Sequence, residues 1–88
     1  MFRLVLSQRF KKNLQTFLRK HPELKSIFRE RVELLQKNPR NPKLRTHKLT
    51  GKLKSHLALS LTHEYRIVFH IEKYDIYLLA IGTHDEVY

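Results

Sequence analysis

Three side chains of this sequence combine proton transfer with anion binding. His47 stands near the start of a predicted strand, Arg66 lies on a predicted open sheet face, and His84 follows the last apolar run. Histidine exchanges protons near neutral pH, and arginine can hold a phosphate with two donors. Metal-free RNA cleavage needs such groups, because the strand's own 2′-OH attacks and the protein supplies a base, an acid and cations.

The six histidines do not have the spacing of a known metal motif. They stand at positions 21, 47, 56, 63, 70 and 84, and no pair has the i, i+4 helical spacing of the zinc-protease motif. The sequence also lacks a glycine-rich phosphate loop, a G-x-S-x-G nucleophile elbow and an RNA-recognition aromatic motif. We therefore expect no metal and no small-molecule cofactor.

The charge of the chain is strongly positive and unevenly placed. Lys and Arg number 18 against 8 Asp and Glu, which gives a formal net charge of +10 and a pI near 10.2. Sixteen of the 18 basic residues lie at or before Lys54, and the stretch Lys37–Lys54 holds seven of them without an acid. Such a field attracts polyanions. A solvated face and a surface for an acidic partner protein are the alternatives; the size of the charge favours nucleic acid or the ribosome.

The composition indicates one small domain, residues 1–88, with 41% hydrophobic and 30% charged residues. No apolar run approaches the roughly 20 residues of a membrane span. The first ten residues lack the long apolar core of a signal peptide. The absence of cysteine rules out disulfides and thiolate metal sites. We therefore expect a cytoplasmic protein without a membrane partner.

The first half of the chain predicts a strand and a helical hairpin. Residues 2–6 alternate apolar and polar side chains, and Ser7 is placed to cap the following helix. The apolar stripe of that helix consists of Phe10, Leu14, Phe17 and Leu18. Pro22 suits the start of a second helix. Its stripe consists of Leu24, Ile27, Phe28, Val32 and Leu35. The segment "NPRNP", residues 38–42, ends this helix because proline disfavours helix in the preceding residue.

From residue 47 onward the apolar period becomes two, which predicts strands. "HKLTGKLK", residues 47–54, predicts a short strand and a turn at Gly51, and "HLALSL" (56–61) and "EYRIVFHIE" (64–72) predict two more strands. "IYLLAIG", residues 76–82, is apolar on both faces and is therefore expected to be central. The fold class is thus α+β in the order β-α-α-β-β-β, with the helical hairpin on one face of a mainly antiparallel sheet.

Two helices cover only one face of such a sheet. The other face is predicted to carry side chains that suit a core poorly, namely Arg3, His56, Ser60, Arg66 and His70. Because the chain is so basic, we expect this open face to bind a partner. His21, which belongs to the helical hairpin, is expected to lie far from it.

The strand segments also carry a family resemblance. "YRIVFHIE", "DIYLLAIGTHDEVY" and the preceding "HKLTGKLK" resemble the C-terminal half of the RelE/ParE toxin superfamily, most strongly its RelE/YafQ branch. The specific motifs cover residues 44–88, and the predicted element order matches that fold over the whole chain. The resemblance implies a type II toxin that cuts mRNA in the ribosomal A site. It also implies a cognate antitoxin that covers the basic surface.

The resemblance implies a role for individual positions. Arg66 falls where RelE-like toxins bind phosphate, His84 where they hold the general acid, and Tyr88 where a terminal aromatic stacks on a base. His47 matches a YafQ-type histidine and Glu64 lies near the YafQ catalytic carboxylate, so the general base is either His47 or Glu64. The basic residues expected to bind RNA or the ribosome are Lys43, Arg45, Lys48, Lys52 and Lys54.

Two positions depart from the family pattern. Ser60 stands where many relatives have a basic residue or histidine, and Leu57 stands where tryptophan is frequent. One contact with the transition state is therefore expected to be weaker, or to be supplied by His56 or His63.

The sequence leaves two other functions open. One is a ParE-like poison of DNA gyrase on the same fold, and the other is a non-catalytic basic module that binds RNA or ribosomes. His84 and Tyr88 argue against the gyrase poison, because that mechanism has no need of an acid at this place. The function we favour is that of a metal-independent endoribonuclease, which cleaves translated mRNA by attack of the RNA's own 2′-OH.

Overall fold

The computed structural model describes residues 1–49 and 56–87. The strands are β1 (Arg3–Leu6), β2 (His47–Lys48), β3 (Leu57–Ser60), β4 (Tyr65–Glu72) and β5 (Asp75–Thr83). The helices are α1 (Gln8–Lys20), α2 (Lys25–Lys37) and the short α3 (His84–Val87). The predicted α+β class is confirmed: a strand and two helices are followed by a mainly antiparallel set of strands. Four strands, rather than the three of the predicted order, follow the helices, and the short α3 was not predicted. The predicted turn at Gly51 lies outside the described residues.

The helix ends follow the local sequence. The side chain of Ser7 accepts a hydrogen bond from the Phe10 amide at 3.0 Å, so Ser7 caps α1 as predicted. Pro22 opens a 3₁₀ turn, Pro22–Leu24, that leads directly into α2. The helix ends at Lys37, and Asn38 has an extended backbone ahead of Pro39. A second 3₁₀ turn, Pro42–Leu44, then leads the chain to the sheet.

The five strands form one sheet in the order β1-β5-β4-β3-β2. All neighbours are antiparallel except β1 and β5, which are parallel. The last strand is therefore interior, as predicted, because β1 and β4 flank it. Arg3 and Asp75 lie opposite each other in β1 and β5, and two hydrogen bonds of 2.9 and 3.1 Å join their side chains.

The core lies between the helices and one face of the sheet. Its buried members are Phe10, Phe17, Leu35, Leu44, Leu59, Leu61, Ile67, Phe69, Ile76 and Leu78. The predicted alternation of β4 is confirmed, since Ile67 and Phe69 are buried in this cluster while Val68 belongs to a second one. This second cluster lies on the open face and joins Val68 to Leu49 and Ala58, with Ala80 and Val87 packed against it. The open face is therefore not wholly polar, because Val87 of α3 covers part of it.

A bulge in β5 decides which residues reach the open face. Phe69 pairs with Leu78 but Val68 pairs with Ala80, so Leu79 is an extra residue without a partner in β4. Leu79 is 40% exposed. After the bulge the alternation is reversed, which places Gly82 on the open face opposite Arg66. The apolar run hid this shift, because every side chain in it suits a buried strand.

Candidate functional site

The site is organised around a row of three facing residues on the open face. Ser60 of β3 lies opposite Arg66 of β4, which lies opposite Gly82 of β5. Facing positions on neighbouring antiparallel strands have Cβ atoms about 5 Å apart. Ser60 contributes only a small hydroxyl beside Arg66, and Gly82 has no side chain; the space over Gly82 is occupied by the side chain of Glu86. The arginine is thus the one long side chain of this row.

The guanidinium of Arg66 is held by the β3–β4 turn. Its Nη1 donates to the backbone carbonyls of Thr62 at 2.9 Å, His63 at 3.1 Å and Tyr65 at 3.3 Å. In the described part of the chain these bonds all come from one nitrogen, so the other two nitrogens keep donors for a ligand. A guanidinium fixed in this way loses little entropy when it binds a phosphate.

The residues after Gly82 form a capping box that the sequence analysis missed. The Thr83 side chain accepts a hydrogen bond from the Glu86 amide at 3.3 Å, and the Glu86 carboxylate accepts one from the Thr83 amide at 2.8 Å. The pattern T-x-x-E at residues 83–86 is the signal that could have revealed it. His84 is the first residue of α3, inside this box, and its Nδ1 lies 3.5 Å from Asp85 Oδ1. The tail is therefore ordered by its own side chains.

Gly82 lies inside β5, which continues to Thr83. A Cβ at this position would lie 2.9 Å from Glu86 Oε1, closer than packed atoms tolerate. A side chain here would therefore displace the capping carboxylate of Glu86, which passes over the glycine.

The electrostatics of Glu86 agree with this arrangement. The hydrogen bond from the Thr83 backbone lowers the pKa of Glu86, and the Thr83 side chain and the charges of Lys20 and His21 lower it further. The acid therefore stays ionised, which is the form that accepts the capping bond. At the other end of α3, Val87 packs on the open-face cluster.

His47 lies on the open face in the next row. It is the first residue of β2 and pairs with Ala58 of β3. Ala58 in turn pairs with Val68 of β4, and Val68 pairs with Ala80 of β5. Because β2 lies two strand spacings of about 4.8 Å from β4, the imidazole and the Arg66 row flank a strip of small side chains. The structure therefore places His47, Arg66 and the start of α3 around the same part of the open face.

Glu64 is directed to a different part of the molecule. It lies in the turn before β4, and its carboxylate contributes to raising the pKa of Tyr65, after the larger effect of partial burial. Tyr65 belongs to the helix side of the sheet, where it packs against Phe17 with ring centroids 5.1 Å apart.

His21 lies on the helix side of the sheet, beside Tyr65 and close to Glu86 of α3. Its ring centroid is 4.9 Å from that of Tyr65, the neighbour of Arg66 in β4, and its Nε2 lies 3.4 Å from the Tyr65 hydroxyl. His21 also contributes to the low pKa of Glu86. The turn after α1 carries this histidine to the end of the sheet, because Phe17 below it is part of the core.

Two basic clefts share Arg45 in their lining. The first, here called the hairpin cleft, has a volume of about 250 Å³ and is lined by four cationic residues: Arg31, Lys43, Arg45 and Arg66. The second, the linker groove, has a volume of about 770 Å³. It combines apolar side chains, which include Phe2, Leu57 and Ile71, with five cations: Lys37, Arg40, Arg45, Lys48 and Lys73. The predicted RNA-binding residues Lys43, Arg45 and Lys48 thus lie in clefts. Arg31 was missed because it stands on the polar side of a helical stripe.

Three predicted site residues, Lys52, Lys54 and Tyr88, lie outside the described residues. Within residues 1–49 and 56–87, no group of three or more His, Asp or Glu side chains is placed to hold a metal ion. Over the same ranges, no helix has the length and apolar character to cross a membrane.

Comparison with known proteins gives a consistent result. The family model described as "Bacterial toxin of type II toxin-antitoxin system, YafQ" matches residues 2–88. A metal-bound toxin from Helicobacter pylori is 26% identical, with a TM-score of 0.83 and 100% of both chains covered. No curated protein matches the chain significantly in sequence.

Two Escherichia coli structures share the fold at lower identity. YafQ is 14% identical with a TM-score of 0.84, and the match covers 100% of this chain and 99% of that one. The DinJ–YafQ complex is similar to the same extent, with 14% identity, a TM-score of 0.82 and the same coverage. At this identity the likeness concerns the fold alone.

Proposed function

Because the chain belongs to the YafQ family of bacterial toxins from type II toxin–antitoxin systems, we propose that it is a ribosome-dependent endoribonuclease that cleaves translated mRNA. The observation that carries the proposal is the Arg66 row. A fixed guanidinium faces a glycine on the open face, and two residues after that glycine an internal capping box holds His84. A phosphate clamp next to a proton donor is what cleavage by the 2′-OH requires.

In the proposed mechanism Arg66 binds the scissile phosphate and neutralises the charge that develops on phosphorus. The imidazolium of His84 protonates the 5′-oxygen as it leaves, while the 2′-OH attacks and a 2′,3′-cyclic phosphate forms. Tyr88, proposed as the platform on which a base stacks, owes this role to the family resemblance. The same holds for Lys52 and Lys54 as further phosphate contacts.

We propose His47 as the general base in preference to Glu64. His47 lies on the open face beside the row that contains Arg66, whereas Glu64 interacts with Tyr65 on the helix side. Replacing either residue by glutamine tests the choice. We expect His47→Gln to slow cleavage about 10²-fold or more, and Glu64→Gln to change it little.

The ribosome explains why so few groups suffice. It holds and orients the mRNA, which removes much of the entropy that a free nuclease would have to overcome. Lys43, Arg45 and Lys48 are proposed to bind RNA phosphates of this complex, so the affinity should fall as salt rises. The proposed chemistry uses no metal, although the related Helicobacter pylori toxin has been solved with one.

A cognate antitoxin is the proposed protein partner. The related YafQ of Escherichia coli forms a complex with DinJ. The linker groove of this chain offers apolar side chains among its cations, a combination that fits an amphipathic acidic segment. Expressing the protein alone in bacteria should arrest growth, and coexpression of the neighbouring small gene should relieve the arrest. Normal growth at confirmed expression would count against the toxin function.

The function is tested by incubating the purified protein with translating ribosomes and mapping the mRNA ends. We expect cuts within codons that appear only when ribosomes are translating. Cuts in free mRNA at the same rate would contradict ribosome dependence. Stabilised gyrase–DNA cleavage complexes without mRNA cuts would indicate the ParE-like function, and ribosome binding without cuts would indicate the non-catalytic module.

A further inference from the structure

The hairpin cleft contains four cations, and we propose that it binds the mRNA phosphate adjacent to the scissile one. This inference rests on the proposed ribonuclease function, because it concerns the same strand at the next position. The four cations come from different elements: Arg31 from α2, Lys43 from the second 3₁₀ turn, Arg45 from the segment after it and Arg66 from β4. Their convergence is a property of the fold that no short sequence motif encodes.

Arg31 contributes a partly buried cation to this cleft. Its side chain is only 18% exposed, and its Nη1 forms an ion pair with Glu30. Its Nε is buried and has no hydrogen-bond partner among the described residues. Because Arg31 also lines the cleft, a phosphate bound there would meet a partly buried guanidinium, whose charge is screened less than that of an exposed cation.

Arg45 occupies its place at a conformational cost. Its backbone has a φ of 50°, in the left-handed region that glycine or asparagine adopts more readily than arginine. Backbone strain of this kind is concentrated at functional sites. A cation kept at such a position, with its side chain in a cleft of three other cations, points to a role for its charge.

The lining of the cleft favours a phosphate over a protein segment. Apart from the four cations, it consists of Ser60, Thr62, His63 and one apolar residue, Leu61. An amphipathic antitoxin segment needs apolar contacts, and the linker groove provides them where the hairpin cleft does not. A small volume that several guanidinium and ammonium groups enter suits a compact oxyanion.

Arg66 connects this cleft with the proposed cleavage site. Its guanidinium is fixed to the β3–β4 turn, which also lines the cleft through Thr62 and His63. An mRNA whose scissile phosphate contacts Arg66 on the open face can therefore reach the cleft. Its next phosphate, one nucleotide away, would lie among the cations of Arg31, Lys43 and Arg45.

The test uses Arg45→Gly, which removes the cation and relieves the backbone strain, so the fold should be retained. The matched control is Lys73→Gly. Lys73 is also a cation with positive φ, 57°, but it lies in the β4–β5 turn at the other end of β4 from Arg66. The free energy of unfolding is measured first, for the parent, Arg45→Gly and Lys73→Gly. Binding is then measured with a short single-stranded RNA whose 2′-OH groups are methylated, so that it cannot be cut.

The RNA is prepared with a neutral methylphosphonate at each linkage in turn. For the parent, we expect neutralisation of the linkage next to the Arg66-bound phosphate to weaken binding about tenfold, the usual loss for one charge-assisted hydrogen bond. For Arg45→Gly, the affinity for the unmodified RNA should already be about tenfold lower, and a methylphosphonate at that linkage should not lower it further. The slope of log affinity against log salt concentration should be smaller in magnitude by about 0.7. Arg31→Met should behave in the same way, and Lys73→Gly like the parent.

Parental affinity and parental methylphosphonate sensitivity in folded Arg45→Gly would overturn the inference. The inference would also be overturned if Arg45→Gly bound RNA normally but no longer bound the antitoxin or the ribosome, because the cleft would then bind a different ligand. This assay measures binding alone, because its RNA cannot be cut. Its outcome is therefore independent of the mRNA mapping on translating ribosomes, which tests the proposed ribonuclease function.

Discussion

The two faces of the sheet use the same strands for different purposes. In β4, Ile67 and Phe69 point to the helices and have no exposed surface, whereas Arg66 and His70, which flank this pair, point to the open face and are only partly buried. The covered face supplies most of the apolar burial, and the open face carries charged and polar residues around a smaller apolar cluster. Groups for chemistry are thus placed where they displace little of the core. Substitutions on the two faces should therefore have separable effects.

The largest expected effect concerns function without stability. His84→Gln keeps the size and polarity of the side chain but removes the titratable group, so cleavage on translating ribosomes should slow by about 10²–10⁴-fold. Unfolding and antitoxin binding should stay at parental values, because the side chain is 66% exposed. The measurement is single-turnover cleavage of ribosome-bound mRNA.

His70→Gln is the matched control, since His70 lies four residues along β4 from Arg66, about 13 Å away, and shares its face. This variant should cleave at nearly the parental rate. Equal losses in both variants would mean that the open face acts as a binding surface without a localised acid.

The covered face should show the reverse behaviour. Phe69→Ala removes a fully buried ring from the main cluster and should lower the free energy of unfolding by about 3–5 kcal/mol. The measurement is urea unfolding followed by circular dichroism. Glu72→Ala, at an exposed position of the same strand, should change stability by less than about 0.5 kcal/mol. A small loss at Phe69 would show that the core is less tightly packed than its burial indicates.

Residues 82–87 combine both kinds of position, because the capping box of Thr83 and Glu86 holds the proposed acid, His84, at the start of α3. Gly82→Ala places a Cβ against Glu86 Oε1 and should break the capping box. Loss of a cap costs about 1 kcal/mol locally, so we expect cleavage to fall about fivefold with little change in global unfolding.

Glu86→Ala removes the same cap from the other side. The double variant should be no slower than either single one, because both changes break one interaction. Losses that multiply in the double variant would contradict the capping account.

The smallest expected effect is a pH dependence confined to the tail. Since the folded pKa of Glu86 lies below its ordinary value of 4.5, its contribution to the tail is complete above that ordinary value. It is lost as the pH falls through the lowered pKa, when protonation removes the acceptor for the Thr83 amide. The Thr83 amide signal followed by NMR should titrate with this lowered pKa. An amide that titrates at the ordinary value, or does not respond, would contradict the hydrogen bond.

Local patterns predicted the covered face well. The period-two alternation of residues 56–72 and the stripe of α1 assigned Leu59, Ile67, Phe69 and Phe10 correctly, because a residue's side of a strand or helix depends only on its neighbours in sequence. The predicted open-face positions of Ser60 and Arg66 follow from the same rule and agree with the observed register.

The remaining features depend on contacts that sequence spacing does not encode. The bulge at Leu79 was hidden in an apolar run, so the placing of Gly82 opposite Arg66 could not be read from alternation. Arg31 meets Arg45 only through the packing of α2 beside the β3–β4 turn. The capping box is different, because T-x-x-E was present at residues 83–86 and the four-residue helix it opens was overlooked.

The central claim is that the open face and tail cleave mRNA through attack of its own 2′-OH. The most direct measurement is the chemistry of the new ends, obtained by mass spectrometry of mRNA fragments cut on translating ribosomes with EDTA-treated protein. The account predicts 2′,3′-cyclic phosphate or 3′-phosphate ends upstream of the cut and 5′-hydroxyl ends downstream, at a rate that EDTA treatment does not change. Upstream fragments that end in 3′-hydroxyls would contradict it, since water or a metal-bound hydroxide would then be the nucleophile.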